Sequence, residues 1–228
     1  LDIFADSLSD LPGTDLVKHN IDTGDSKPVR LRAYRQTPDI KREMERQVDD
    51  MLKSGIIEES DSPWASPALL VKKSSGEFRF VTDFRLVNKL TKAIFWPLPT
   101  MDEIIDTVSD CTPSLFSLLD MKSGYFQIKL DDESKPKTAF SVGGSHYQYV
   151  RMANGLCNAP HTFQALLKKV LGRMLFTSAL CYIDDVLLLS RTFDLHCEHL
   201  QTVFEKFRGA NLRLHPGNCV FAVPRIKY

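Results

Sequence analysis

Hydrophobic side chains recur at helical spacing near the start of this chain. In residues 39–54 the apolar positions fall on one helical face, which consists of Ile40, Met44, Val48, Met51 and Leu52. Thr37 suits the N-cap of this helix, Pro38 its first position and Gly55 its end. The pattern therefore predicts an amphipathic helix that packs one face against a core.

Three further helices are predicted along the chain. The apolar positions of residues 160–175 follow the helical period, and they are Phe163, Leu166, Leu167, Val170, Leu171 and Met174. Asn158 suits the N-cap of this helix. Residues 194–208 form another helix that ends near Gly209, and residues 101–108 form a short one.

Strand-like runs lie between these helices. Residues 68–73 and 78–84 flank the turn sequence SSGE and predict a β-hairpin, and residues 115–120 predict a strand. Prolines keep residues 62–67 extended, and residues 1–36 show no clear periodicity and are expected to be irregular. The order lacks regular alternation of strand and helix, so the predicted fold class is α+β.

Composition indicates a globular chain without net charge. Of its 228 residues, 43% are hydrophobic, which allows a sizeable core. No apolar run approaches the roughly 20 residues of a membrane span, and no signal-peptide pattern is present, so we expect a soluble, intracellular protein. Lys+Arg and Asp+Glu both number 29, which argues against a simple basic module for nucleic acid.

The five cysteines predict no disulfide framework. They are scattered and form no CxxC pair, which favours reduced thiols. A cluster near the end of the chain superficially resembles a zinc site and contains His196, Cys197, His199, His215 and Cys219. Its spacing fits no standard zinc pattern, so we expect these side chains to pack or to be solvated between helix 194–208 and the last strand.

Two adjacent acids, Asp184 and Asp185, join two apolar runs and predict an acidic hairpin. A turn that favours stability contains Asn-Gly or Asp-Gly, whereas Asp-Asp adds like-charge repulsion. An isolated Asp-Asp pair is usually a solvated turn. The apolar strands on both sides instead favour carboxylates that bind Mg²⁺, and Asp120 would join them if its strand is adjacent in the same sheet.

Five sequence blocks then occur in a recognisable order. They are GIIEESDSPWASPALLVKK at 55–73, VTDFRLVNKLT at 81–91, LLDMKSGYFQIKLDDESKPKTAF at 118–140, GLCNAPHTFQ at 155–164 and YIDD at 182–185. Together they resemble the reverse transcriptases of gypsy-class LTR retrotransposons. The resemblance implies a right-hand polymerase fold whose palm is an antiparallel sheet backed by helices.

The resemblance also implies subdomain boundaries. Fingers would take residues 1–92 and 128–158, and palm would take residues 93–127 and 159–228. Family members continue into thumb, connection and RNase H regions, so we expect this chain to be a thumbless piece of a larger Pol polyprotein. Such a piece is expected to bind primer-template weakly.

Roles at the catalytic centre follow from the resemblance. Three acids would hold two Mg²⁺ ions, with Mn²⁺ as a substitute, and they are Asp120, Asp184 and Asp185. The residues expected to bind the incoming dNTP are Lys73, Arg79, Met121, Tyr125 and Asn154. Among them, Lys73 and Arg79 would grip the triphosphate, and Tyr125 would be the steric gate that excludes a 2′-OH. Core packing of Tyr125 and a merely solvated basic hairpin are the alternatives.

Other matched residues would contact the nucleic acid. The template and primer residues are Asp83, Arg85, Asn88 and Tyr182. A simple surface pair of Asp83 with Arg85 is the alternative. The chain departs from the family at Ala153 and Asn154, where proline and phenylalanine are usual. Asn154 is expected to contact the dNTP sugar, and a pocket loosened by its short amide is the alternative.

The resulting function hypothesis is an RNA- and DNA-templated DNA polymerase. A catalytically inactive or domesticated fold that binds nucleic acid or protein is the second hypothesis, and a metal-dependent nuclease is the third. Expected partners are an RNA or DNA template with primer, dNTPs and the remaining Pol regions, with no membrane and with a dimer left open. The expected location is the cytoplasm within virus-like particles, with later access to the nucleus.

Overall fold

A computed structural model describes residues 2–72, 76–94, 108–109, 111–182 and 185–226 of the chain. The chain divides into two compact units. Unit 1 consists of residues 1–17, 95–127 and 160–228, and unit 2 consists of residues 18–94 and 128–159. Residues 1–17 thus belong to unit 1, whereas the sequence placed them in the fingers. The names fingers and palm stay predictions at this point.

A four-stranded antiparallel sheet organises unit 1. Its strand order is β11-β5-β10-β9. The strands are β5 (Leu115–Asp120), β9 (Ala179–Tyr182), β10 (Asp185–Ser190) and β11 (Val220–Val223). The central strand β10 pairs with β5 on one side and with β9 on the other. The strand that ends at Asp120 is therefore adjacent to β10 in the same sheet, which is the condition under which Asp120 would join the acidic hairpin.

Alternation along β5 and β10 gives the sheet two different faces, because successive strand residues point to opposite sides. Leu187 and Leu189 share the face of Asp185 and pack with Leu180 in a buried cluster. Val186, Leu188 and Ser190 point to the other face and are buried as well. A fully buried leucine contributes roughly 2 kcal/mol, so both faces anchor these strands.

Two long helices belong to the described part of unit 1. Helix α3 is Ala159–Leu171 and helix α4 is Phe193–Gly209. Thr192 is the N-cap of α4, where its side chain accepts a hydrogen bond from the backbone N–H of Leu195. Short 3₁₀ turns occur at Leu8–Asp10, Gly124–Gln127 and Gly172–Met174.

Unit 2 contains two antiparallel sheets. A three-stranded sheet has the order β2-β8-β7, and a hairpin pairs β3 with β4. The strands are β2 (Ile57–Glu59), β3 (Ala68–Lys72), β4 (Phe78–Thr82), β7 (Phe140–Val142) and β8 (Ser145–Tyr149). The rings of Phe80 and Tyr149 each lie 5.3 Å from that of Phe140. These aromatic contacts join the hairpin to the larger sheet in one core.

Two helices and smaller elements surround the unit 2 sheets. Helix α1 is Pro38–Lys53 and buries Met44, Val48 and Met51, and helix α2 is Arg85–Leu90. Strand β6 is Ile128–Leu130, a 3₁₀ turn is Lys135–Thr138, and strand β1 (Thr14–His19) spans the chain boundary between the units. Within the described ranges, no helix is long and apolar enough to cross a membrane.

Most predicted elements are confirmed, two predictions need correction, and one helix was not predicted. The expectation of an irregular segment over residues 1–36 is wrong at β1, and the sequence did not indicate α2. The helix predicted over residues 160–175 ends at Leu171, because Gly172 takes a positive φ of 57° and begins a 3₁₀ turn. The helix predicted over residues 101–108 lies outside the described residues except for Val108.

Candidate active site

Two acids lie opposite each other on neighbouring strands of unit 1. Asp185 is the first residue of β10, and its Cα partner on β5 is Asp120. Directly opposed residues of an antiparallel pair project to the same face, with Cβ atoms about 4.5–5.5 Å apart. Both side chains are partly exposed. The sequence placed Asp185 in the hairpin turn, but the structure places it in the strand, paired with Tyr182.

This arrangement is electrostatically unfavourable for the protein alone. Like charges directly opposite each other in a sheet are destabilising. The same negative potential reaches Cys219, since burial raises the pKa of its thiol and the charges of Asp120 and Asp185 raise it further. A cation bound between the two carboxylates would offset this repulsion.

The donor set fits magnesium. Mg²⁺ prefers carboxylate oxygens and commonly uses only one or two of them, with water and phosphate oxygens as its remaining ligands. Asp120 and Asp185 supply that number from one face of the sheet. The third predicted ligand, Asp184, lies outside the described residues. Within the part of the chain that is described, no group of three or more His, Cys, Asp or Glu side chains could hold a metal ion.

The segment after β5 carries two of the residues predicted to bind dNTP. Tyr125 is partly exposed and packs its ring edge-on against Phe163, with centroids 5.7 Å apart. A Cβ on Gly124 would lie 3.0 Å from the Phe163 ring, so a larger residue here would require the ring to shift by a few tenths of an ångström. Met121 as a whole residue is 2% exposed, so its predicted contact with the nucleotide stays a prediction.

The β3–β4 hairpin of unit 2 carries the predicted triphosphate contacts. Arg79 lies on β4 opposite Val71, and its side chain is exposed. Lys73 follows directly after the end of β3 and lies outside the described residues. The exposed guanidinium of Arg79 is thus available to a phosphate ligand of this hairpin.

Asp83 and Arg85 form an ion pair. The Nη2 of Arg85 lies 2.6 Å from Oδ2 of Asp83, and the hydroxyl of Tyr34 donates to the same oxygen at 2.8 Å. The hydrogen bond from Arg85 lowers the pKa of the Asp83 carboxyl well below its ordinary value. Asp83 is mostly buried, whereas the Arg85 side chain is 80% exposed. The surface pair that the sequence left open therefore exists, and it orients Arg85 toward solvent.

Asn88 holds the loop that contains Asn154. Its Nδ2 donates to the carbonyl of Gly155 at 2.8 Å, and its Oδ1 accepts from the backbone N–H of Cys157 at 3.0 Å. Gly155 has a φ of 92°, which a residue with a side chain rarely adopts. Asn154 is exposed in this loop, next to the buried Ala153. The side chain of Tyr182 lies outside the described part of the chain, so its predicted role stays a prediction.

The face of the sheet behind the acids contains a buried polar network that the sequence did not reveal. His196 of α4 bonds Ser117 of β5 through Nε2 at 2.6 Å and Ser190 of β10 through Nδ1 at 2.8 Å. Ser190 also bonds Nδ1 of His199 at 2.8 Å. The two histidines therefore serve as hydrogen-bonding groups that tie a helix to two strands, and Cys197 is exposed.

These features define a class of protein. It is an α+β fold whose antiparallel sheet sets two acids side by side at neighbouring strand ends, where a divalent cation and a phosphate can bind.

Comparison with known proteins gives the family. Residues 71–228 match reverse transcriptase (RNA-dependent DNA polymerase). The chain is 37% identical over 213 residues to the retrovirus-related Pol polyprotein from transposon 297 of Drosophila melanogaster. This match covers 91% of this chain and 20% of that protein. It is 33% identical over 234 residues to the Pol polyprotein from transposon 412 of the same fly, which covers 100% of this chain and 19% of that protein.

Solved structures share the fold. A crystal structure of prototype foamy virus protease-reverse transcriptase matches with a TM-score of 0.87 and 25% identity, covering 96% of this chain and 29% of that one. A foamy viral protease-reverse transcriptase in complex with an RNA/DNA hybrid matches with a TM-score of 0.84. At 23% identity, this second likeness shows the fold alone.

This chain belongs to the reverse transcriptase family. The sequence-based resemblance to a reverse transcriptase region of an LTR-retrotransposon Pol polyprotein is confirmed. The chain spans about a fifth of the length of the two fly polyproteins.

Proposed function

We propose that this chain carries the polymerase centre of an RNA- and DNA-templated DNA polymerase that acts as part of a retrotransposon Pol protein. The opposed pair Asp120 and Asp185 is the observation that carries the proposal. Unit 1 would then be the palm and unit 2 the fingers of a right-hand fold. Family membership and the fold shared with the foamy virus enzyme support both assignments.

The chain's own residues would prepare a cation site. Asp120 and Asp185, together with Asp184, would hold two Mg²⁺ ions through carboxylate oxygens. When bound, the ions would lower the pKa of the primer 3′-hydroxyl and stabilise the charge of the leaving pyrophosphate. Apolar packing of Leu187 and Leu189 on the same face keeps β10 in place under these acids.

The remaining predicted residues would select and hold the nucleotide. Arg79 and Lys73 would neutralise the triphosphate, since a guanidinium fork and an ammonium both match phosphate oxygens. Tyr125, braced edge-on by Phe163, would exclude a 2′-OH. Asn154 would contact the sugar of the nucleotide. Its loop is held by Asn88, whose side-chain amide donates to the carbonyl of Gly155 and accepts from the N–H of Cys157.

Contacts to nucleic acid and other Pol regions complete the proposal. Arg85, held by Asp83 and exposed to solvent, would contact the template backbone. A foamy viral protease-reverse transcriptase that shares this fold has been solved in complex with an RNA/DNA hybrid, and we propose the same kind of partner for this chain. We place the chain in cytoplasmic virus-like particles with the thumb, connection and RNase H regions, and co-sedimentation of primer-extension activity with particles tests this location.

Primer extension tests the activity. The chain is incubated with oligo(dT) on poly(rA), dTTP and Mg²⁺, and extension is compared between the natural chain and Asp185→Asn. Asp6→Asn, an exposed acid in the same unit, is the matched control. We expect extension by the natural chain and by the control, and none above background by Asp185→Asn.

Each other outcome counts against the proposal. Extension that persists undiminished in Asp185→Asn contradicts the role of the carboxylate. Binding of primer-template without any extension favours the non-catalytic fold, and degradation of the template without extension favours the nuclease.

A further inference from the structure

The strand that carries Asp120 continues into a segment that is clamped to a distant part of unit 1. The backbone N–H of Lys122 donates to the carbonyl of Arg213 at 3.1 Å, and the N–H of His215 donates to the carbonyl of Asp120 at 2.9 Å. Met121 and Leu214 form an antiparallel bridge between these two bonds. Residues 213–215 therefore run beside the end of β5 as a short added strand.

A turn after this bridge places the side-chain amide of Asn218 next to the carboxylate of Asp120. The N–H of Asn218 donates to the carbonyl of His215 at 3.2 Å, and the N–H of Gly217 donates to Nδ1 of His215 at 3.2 Å. The side-chain Nδ2 of Asn218 then donates to Oδ2 of Asp120 at 2.7 Å. The backbone contacts thus place Asn218 within hydrogen-bonding reach of the Asp120 carboxylate.

An amide at this position has a specific physical effect on the acid pair. A hydrogen bond to Oδ2 fixes the rotation of the Asp120 carboxylate and leaves Oδ1 as its other ligand atom. Unlike lysine or arginine, the amide brings no positive charge that would compete with a cation for the site.

We infer that Asn218 is a positioning residue that holds the Asp120 carboxylate in the orientation that binds the divalent cation. The inference deepens the proposed function and rests on it for its role in catalysis. A residue that orients a metal-binding carboxylate changes the affinity for the cation, whereas a residue that only stabilises a turn changes the stability of the fold.

The test measures cation binding directly, without turnover. Mn²⁺ binding to the chain is followed by electron paramagnetic resonance, and the Mg²⁺ dependence of primer extension is measured in parallel. The variants are Asn218→Ala and Asn218→Leu, because water can replace the amide in the alanine variant, whereas leucine has nearly the shape of asparagine and excludes water. Gln201→Ala is the control, since it removes an exposed amide that bonds Glu205 on α4.

We expect Mn²⁺ to bind about tenfold more weakly in the Asn218→Leu variant, the lower end of the range for removing a hydrogen bond to a metal-binding carboxylate. The Mg²⁺ concentration for half-maximal extension should rise by a similar factor, with the KM for dTTP and the melting temperature unchanged. The control should match the natural chain in every measurement.

Two outcomes would overturn the inference. One is Mn²⁺ affinity equal to that of the natural chain in both variants, and the other is a lowered melting temperature that accounts for the whole loss of binding. The proposed function fails separately, when the natural chain binds Mn²⁺ but does not extend a primer. In that case weaker Mn²⁺ binding by the variants still supports the positioning role of Asn218.

Discussion

The two faces of the unit 1 sheet use polar side chains in opposite ways. On the front face, Asp120 and Asp185 stand opposite each other at the strand ends, partly exposed. On the back face, Ser117 and Ser190 lie fully inside the protein and bond His196 of helix α4. Both sets occupy the same two strands, so strand position alone does not explain the difference.

The contrast shows how a structural polar group differs from a functional one. The back-face groups are neutral and pair with one another, which removes most of the cost of their burial. The front-face groups carry like charges that repel each other, and a bound cation would offset this cost. Substitutions on the front should therefore change activity with little effect on stability, and substitutions on the back should do the reverse.

The largest expected effect is on the front face. Asp120→Asn keeps the size of the side chain but removes one charged ligand, so primer extension should fall by about 1,000-fold, which corresponds to several kcal/mol of lost transition-state stabilisation. Urea unfolding of the same variant should differ from that of the natural chain by no more than about 0.5 kcal/mol, the expected effect of removing the repulsion from Asp185. A variant that loses activity only in proportion to its unfolded fraction would contradict the contrast.

The next effect is on the back face. His196→Leu leaves the hydroxyls of Ser117 and Ser190 buried without this partner, which should lower the free energy of unfolding by about 2–4 kcal/mol. Urea unfolding measures the change. The triple variant with Ser117→Ala and Ser190→Ala should lose less stability than the three single changes added together, because these residues share the same hydrogen bonds. Additive losses in the triple variant would contradict the network.

A smaller effect on the same face depends on pH. Burial, with a further contribution from the charge of His199, lowers the pKa of His196 below its ordinary value of 6.5. The unfolded chain then binds the proton more readily than the folded chain. The stability contributed by neutral His196 is complete above pH 6.5 and is lost as the pH falls through the lower folded pKa, by up to about 1.4 kcal/mol per pH unit.

Urea unfolding between about pH 7.5 and about pH 5 measures this slope, in a range above the ordinary carboxyl pKa values. His196→Leu should show a flatter profile than the natural chain, so that the two profiles approach each other at low pH. Equal slopes in both proteins would assign the pH dependence to other groups.

The smallest effect returns to the front face. Asp185→Asn removes the repulsion between the two acids, so in the absence of divalent cations the variant should be more stable by about 0.5 kcal/mol. The gain should shrink at high salt, which screens the repulsion of partly exposed charges. Thermal unfolding at low and high salt measures this gain in stability. A variant less stable than the natural chain would contradict a repulsion between the two carboxylates.

Local patterns were enough to predict the elements that bear the front-face site. The apolar run that ends at Asp120 and the run that follows Asp185 each predicted a strand, and the structure pairs them in register. Helix α1, the β3–β4 hairpin and helix α4 were predicted as well. All of these rest on interactions between residues close in sequence or on a repeated apolar period.

Contacts between residues distant in sequence escaped prediction. Ser117 and His196 are 79 residues apart and Asp120 and Asn218 are 98 apart, and neither pair lies in a local motif. Serine, histidine and asparagine are common surface residues, so their burial or their aim at a carboxylate depends on the tertiary fold. The short helix α2 was missed because its six residues carry too little apolar pattern.

The register between β5 and β10 also offers a way to measure the fraction of correctly folded molecules. A slip of one residue would place Leu119 opposite Asp185. Every side chain of the shifted strand would then point to the opposite face of the sheet. The acid pair and the serine-histidine network would then be lost together. A molecule folded with a one-residue slip would therefore lack the cation site altogether. Titration of the cation site would then measure the fraction of molecules in the correct register.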